Sequence, residues 1–221
     1  MSLALACPKL RSVAKADDFE EIRPGLLIWQ AYDRTVKADL FSTALATDEG
    51  LFVVDPIELD SDSLDQLARD TTPAGIIVTN TNHLRSADTY VQKFSVPLFA
   101  HRESLKDGTP DFIEVEDGGN IAGELQVIRI EGAPAGEIGL YYPNDGGTLV
   151  IGDALINFEP HGFAFLPHKY CEDPRSMRKS LQKLLRFEAE RMLFAHGTPI
   201  VSGASARLRE LLDVDLDSQR P

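Results

Sequence analysis

Gly75-Ile76-Ile77-Val78-Thr79-Asn80-Thr81-Asn82-His83-Leu84-Arg85 holds the transition that decides the fold of this chain. Its first half is a short apolar run with β-branched residues, the pattern of a strand buried on both faces. Its second half turns abruptly to amides, hydroxyls, an imidazole and a guanidinium, and a helical stretch is expected next, through Tyr90 and Phe94. A buried strand delivering polar groups into a loop that opens a helix is half of a β–α unit.

Upstream, Leu26-Leu27-Ile28-Trp29 predicts a strand launched from Pro24-Gly25, after a polar lead-in over residues 1–21 that is expected to be loosely ordered. Leu40–Thr47 and Leu51–Val54 flank Asp48-Glu49-Gly50, which predicts a β-hairpin. The second run ends at Asp55-Pro56, where Asp55 is expected to cap the next turn, and Ser61–Arg69 is helix-permissive. Downstream come a short strand at Val96–Ala100, loops over Asp107–Gly123, and strands at Leu125–Ile130 and Ile138–Tyr142. Pro143-Asn144-Asp145-Gly146-Gly147 carries tight-turn chemistry, and Thr148–Ile151 returns as a strand ending at Gly152-Asp153. Asp173-Pro174 opens a helix with a capping carboxylate and proline at the first helical position. Met177, Leu181, Leu184 and Leu185 form its buried stripe, while Arg175, Arg178, Lys179, Lys183 and Arg186 read as a solvated face. Met192–Ala195 is a last strand ending at His196-Gly197, and Leu208, Leu211 and Leu212 mark a final amphipathic helix. This order predicts a single α/β domain over 1–221, two sheets flanked by helices.

Three of these strand ends carry polar residues: Thr79-Asn80-Thr81-Asn82, Gly152-Asp153 and Ala195-His196-Gly197. Their order and spacing resemble the metallo-β-lactamase superfamily from about Ile28 onward. The resemblance implies a four-layer αβ/βα sandwich with metal ligands at the strand ends. In that family an apolar strand is followed by Thr-His-x-His-x-Asp-His, then come Gly-His-Thr-Pro-Gly-Ser, Gly-Asp and a terminal His-Gly. Here the leading histidines become Asn80 and Asn82, the aspartate becomes Leu84, and the third histidine becomes Arg85. The second motif becomes Gly132-Ala133-Pro134-Ala135-Gly136-Glu137, so that its histidine is Ala133. Of the former metal-site positions, Asp153 and His196 keep ligand identity.

Zinc takes imidazole, thiolate or carboxylate ligands, whereas an amide oxygen suits harder ions and a guanidinium repels a dication. The family's dinuclear centre is therefore not expected, and an Arg85–Asp153 pair is expected to replace it through charge-assisted hydrogen bonds. On this view no cofactor is expected. The protein is then a catalytically impaired or inactive homologue that binds a small molecule or protein partner through the old pocket. The alternative keeps an enzyme: His83 turns inward and joins Asp153 and His196 around one zinc, iron or manganese ion, for hydrolysis of an ester, thioester or lactone-like bond.

The remaining aromatic and histidine side chains have plainer expectations. His101 is expected at the surface, and Trp29 and Tyr32 in the core. His161 and His168 bracket Gly162–Pro167, an aromatic stretch that suits a pocket mouth, a subunit interface or ordinary core.

Across 221 residues, 22 Lys and Arg stand against 35 Asp and Glu, a formal net charge of -13. Such acidity repels phosphate backbones and anionic membrane surfaces, so nucleic acid and membrane are not expected partners, while a homo-oligomer stays open. Cys7 and Cys171 lie far apart in no paired-ligand spacing, and the opening MSLALACPKL lacks the features of a signal peptide. A cytoplasmic location is the expectation.

Overall fold

Alternation with period two decides which way each strand faces, and here it sorts the apolar side chains into three layers of core. The computed structural model describes residues 14–105, 111–158 and 160–218. In chain order its first elements are β1 (Lys15–Ala16), β2 (Glu20–Arg23), β3 (Leu26–Asp33), β4 (Ala38–Thr47), β5 (Gly50–Val54) and β6 (Glu58–Leu59). Then come α1 (Ser61–Asp70), β7 (Pro73–Val78), α2 (Ala87–Phe94), β8 (Leu98–Ala100), β9 (Ile113–Glu114) and β10 (Asn120–Ile121). The second half holds β11 (Leu125–Arg129), β12 (Ile138–Tyr142), β13 (Thr148–Ile151), β14 (Leu155–Phe158), β15 (Gly162–Phe165), α3 (Pro174–Leu181), β16 (Arg191–Phe194) and α4 (Ala204–Ser218).

One sheet has seven strands in the order β2-β3-β4-β5-β7-β8-β9, the other five in the order β10-β11-β12-β13-β16. In the larger sheet, β5 sends Leu51 and Val53 toward α1 and α2, and Phe52 and Val54 toward the other sheet. In the smaller sheet Val150 and Leu193 face inward, while Leu149, Ile151, Met192 and Phe194 pack with α3 and α4. Helix, sheet, sheet, helix: this is the four-layer αβ/βα sandwich. Among the described residues no helix is long and apolar enough to cross a membrane.

Local chemistry accounts for the element ends. Asp60 caps α1 by accepting from the backbone N–H groups of Asp62 and Ser63, and Asp173 caps α3 from Arg175, with Pro174 in the first turn. α3 gives way after Leu181 to a 3-10 turn over Gln182–Arg186, which leaves Leu184 buried and Leu185 only half-buried. Lys183 on the basic face pairs with Asp117 and Glu131, as a solvated face should.

Two expectations need correction. Of the lead-in, residues 1–13, with Cys7, lie outside the described residues, but the remainder is not loose: β1 pairs with β6 and β2 with β3. The stretch between Asp153 and Asp173 carries no strand expectation, yet β14 and β15 form an antiparallel hairpin there. Its Phe163 and Phe165 pack half-buried against the helix-side core.

At the end of the sandwich where β7, β13 and β16 terminate, the two sheets are joined by main-chain hydrogen bonds. Phe41 N donates to Ala195 O at 2.9 Å, Ile138 N to Thr79 O at 2.8 Å, and Thr81 N to Ala135 O at 3.0 Å. This joined edge carries the polar residues singled out above.

Candidate metal centre

Asp153 is the hub. Gly152 precedes it because nothing larger fits: a Cβ there would lie 2.6 Å from Thr79 Oγ1 and 2.8 Å from Glu137 Oε1. Oδ1 of Asp153 stands 3.2 Å from His83 Nε2 and 3.3 Å from His196 Nε2. Its Oδ2 accepts from Asn80 Nδ2 at 3.1 Å and Asn82 Nδ2 at 3.3 Å. His196 comes directly off β16, followed by Gly197 at φ +105, where a Cβ would collide with Asn157 O at 2.3 Å.

His83 does turn inward. Its Nδ1 lies 2.9 Å from Asp55 Oδ2 and 2.8 Å from Thr79 Oγ1, which itself donates to Asp55 Oδ2 at 2.6 Å. The other ring nitrogen, Nε2, is buried and has no hydrogen-bond partner: Asp153 Oδ1 is within reach but off the N–H axis. Burial by itself would lower the His83 pKa, but the carboxylates of Asp153 and Asp55 outweigh it, against opposition from Arg85, and raise it to about 9. Burial likewise works against ionisation of Asp153, yet the two imidazoles hold its pKa well below the usual carboxylate range.

Arg85 does not form the expected pair with Asp153. Its guanidinium donates to three main-chain carbonyls, Phe41 O at 2.6 Å, Asp55 O at 3.0 Å and Ala195 O at 3.4 Å, and no Arg85–Asp153 hydrogen bond or ion pair exists among the described residues. The physical reason is directional. Arg85 sits in left-handed backbone at φ +40, and its planar fork meets carbonyls converging from β4, the end of β5 and the end of β16. Asp153 Oδ1 instead faces the ring nitrogens of His83 and His196. The guanidinium is therefore held by main-chain carbonyls rather than by the Asp153 carboxylate.

Leu84 packs with the α1–α2 side of the core, and Ala133 is buried in the α3–α4 side, so neither reaches the centre. His101 is not at the centre either; it accepts from Glu103 N. Trp29 is core, donating to Ile57 O and stacked on Tyr90, whereas Tyr32, expected in the core, is 58% exposed. His161 is exposed and edge-on to Phe158, and His168 is exposed beside Arg178.

Two buried acids carry more of the site than the sequence suggests. Asp55, at φ +50, accepts from Thr79 N and holds His83 rather than capping the following turn. Glu137 is fully buried and accepts from Asp153 N at 2.8 Å, Ala154 N at 3.0 Å and Asn80 Nδ2 at 2.6 Å. Burial first, and then the neighbouring Asp153 charge, push its pKa up to about 8. The available signals were slight: an Asp-Pro at a strand end, and an acid closing a Gly-Ala-Pro-Ala-Gly loop.

Whether these groups fit a metal can be judged from their spacing. Ligand bonds of about 2.0–2.1 Å at tetrahedral angles place donor atoms about 3.3 Å apart. Both Asp153–histidine separations match that edge, and all three donors lie within 4.8 Å of one another. His83 also shows the carboxylate–histidine arrangement that fixes a ligating ring, with Asp55 on one nitrogen and the other left unbonded. The donor set could hold one ion. It does not extend to two, because Asn80 and Asn82 aim amide N–H groups, which cannot coordinate, at the other carboxylate oxygen.

An α/β sandwich with a two-histidine, one-carboxylate cluster at its joined strand ends defines a class. The profile of the metallo-beta-lactamase superfamily matches residues 20–214, and the chain belongs to that superfamily. Solved structures agree on the fold. A metallo-beta-lactamase from Pontibacter korlensis superposes with a TM-score of 0.68 at 18% identity, covering 89% of this chain and 98% of that one. A beta-lactamase domain protein from Burkholderia ambifaria gives 0.65 at 16% identity, covering 96% and 80%. A metallo-beta-lactamase family protein from Thermus thermophilus gives 0.61 at 16%, covering 89% and 81%. No curated protein matches the chain.

Proposed function

We propose that this protein is a single-metal hydrolase in which His83, Asp153 and His196 hold one zinc, iron or manganese ion, acting on an ester, thioester or lactone-like bond. The observation that carries the proposal is His83 Nε2, a buried nitrogen without a hydrogen bond, facing the same oxygen of Asp153 as His196 does. An ion held there would polarise a carbonyl and activate water at neutral pH. The chain's own residues prepare the place. Asp55 keeps the Nδ1 proton of His83, so that Nε2 has a lone pair to offer when the ring is neutral. Asn80 and Asn82 hold the far oxygen of Asp153. Arg85, fixed to carbonyls, offsets the buried negative charge from beside the centre rather than within it.

A second reading rests on the same imidazole: His83 between Asp55 at 2.9 Å and Asp153 at 3.2 Å, protonated, is itself a stand-in cation. The protein is then an inactive homologue that binds a small molecule or protein partner. Elemental analysis of protein purified without chelator separates the two. One transition-metal ion per chain, lost in His83→Ala, supports the hydrolase; folded protein that stays metal-free after incubation with zinc, iron(II) and manganese rejects it in favour of the second reading. A panel of ester, thioester and lactone substrates, assayed with the loaded protein, then tests the bond class.

A further inference from the structure

Glu137 holds no place in the donor set, and a fully buried carboxylate accepting three hydrogen bonds beside another carboxylate is costly to keep without a task. We propose that Glu137 is a positioning residue which, acting through Asn80, orients Asp153 so that a single carboxylate oxygen faces the two histidines. The inference rests on the single-ion reading above only for its metal-binding arm.

The orientation of the Asn80 amide follows from its partners. Its NH2 group meets Glu137 Oε2 at 2.6 Å and Asp153 Oδ2 at 3.1 Å, while its oxygen accepts from Asn82 N at 2.8 Å. Rotating the amide by half a turn would bring its oxygen against two carboxylates and its NH2 against a backbone N–H, so only one orientation is satisfied. Glu137 enforces it, because an unprotonated Oε2 requires a donor from Asn80, while Oε1 is occupied by Asp153 N and Ala154 N. Asn80 in turn holds Asp153 Oδ2, with help from Asn82, and the side chain can then present only Oδ1 to His83 and His196. The two backbone bonds from Asp153 and Ala154 to the same Glu137 oxygen fix the turn on which this carboxylate is mounted. Side chain and main chain of the hub are thus set by one residue.

Glu137→Gln is the informative substitution, since it keeps size and removes one acceptor. With the amide oxygen retained for Asp153 N and Ala154 N, the new NH2 group faces the NH2 of Asn80 across 2.6 Å, donor against donor. Asn80 must turn, and Asp153 Oδ2 loses it.

Two measurements test this. In metal-free protein above pH 8, where Glu137 is ionised, side-chain and backbone amide NMR signals report the relay directly: E137Q is expected to move the Asn80 NH2 signals upfield and to shift Asn82 N–H, whose acceptor is lost. Unmoved signals would overturn the proposal, whether or not the wild type binds metal. In metal titrations with zinc, E137Q and Asn80→Ala are each expected to weaken affinity by roughly 10–100-fold, and E137Q is expected to add less than about 3-fold in the N80A background. Equal losses from E137Q in both backgrounds would show a merely structural role and sink the relay. If N80A does not fold, Asn80→Ser takes its place in the cycle, because it too removes the amide. A wild type that takes none of zinc, iron(II) and manganese would end the hydrolase reading, and the NMR arm would still decide this one.

Discussion

Replacing Asp55 by asparagine probes the support of the centre without touching a donor. Asp55 Oδ1 accepts from Thr79 N at 2.8 Å, and an asparagine oxygen can keep that bond. Oδ2 accepts from Thr79 Oγ1 at 2.6 Å and faces His83 Nδ1 at 2.9 Å; an NH2 group there opposes both donors. A neutral His83 must then give up the Nδ1 proton and carry one on Nε2, the nitrogen 3.2 Å from Asp153 Oδ1. The ring is left in the tautomer that cannot ligate. Loss of a carboxylate behind a ligating histidine lowers metal affinity by roughly 10–100-fold, about 1.4–2.7 kcal/mol. Loss of a charge-assisted hydrogen bond costs the metal-free protein about 1.5–3 kcal/mol of stability. Competition titration against a fluorescent chelator at neutral pH reads the first, urea unfolding of metal-free protein the second, and 15N NMR of the imidazole above pH 9, where the ring is neutral, the tautomer. Affinity within threefold of wild type, with Nδ1 still protonated in the D55N protein, would refute the role assigned to Asp55.

Three further outcomes are expected. Arg85→Met, which strips a partly buried cation from three carbonyls, should cost about 1–3 kcal/mol in urea unfolding; a loss below about 0.5 kcal/mol contradicts the anchoring seen here. Gly152→Ala should cost about 1–3 kcal/mol and weaken metal binding, since the added methyl displaces Thr79 and Glu137 and with them Asp153; unchanged affinity would show that the turn is not under tension. At acid pH, burial raises the Glu131 pKa, but hydrogen bonds from Ser180 and Lys183 outweigh it and bring it to about 2, below its ordinary 4.5. The stability it contributes is present above pH 4.5 and is lost as pH falls through about 2, so Glu131→Gln should flatten the acid limb of the unfolding curve in that window. An unaltered limb rules the linkage out.

The sandwich was legible because β5, β7, β13 and β16 are short, nearly continuous apolar runs that end in polar residues, the pattern of strands buried on both faces. The β14–β15 hairpin was not, since Gly162-Phe163-Ala164-Phe165 is half-buried throughout and carries no alternation to read. At the site, linear motifs placed Asp153 and His196 at strand ends but assigned Arg85 the wrong partner. A sequence gives no direction to a guanidinium, and the carbonyls that capture it come from residues 41, 55 and 195. Glu137 was invisible for a related reason. Its partners are two backbone amides and an asparagine 57 positions away, and only folding brings them together.

The main-chain bonds joining Phe41 to Ala195, Ile138 to Thr79 and Thr81 to Ala135 act as a clasp across the mouth of the sandwich. Layers so fastened cannot part at this rim without breaking the clasp, so these amides should exchange with solvent only as the whole domain opens.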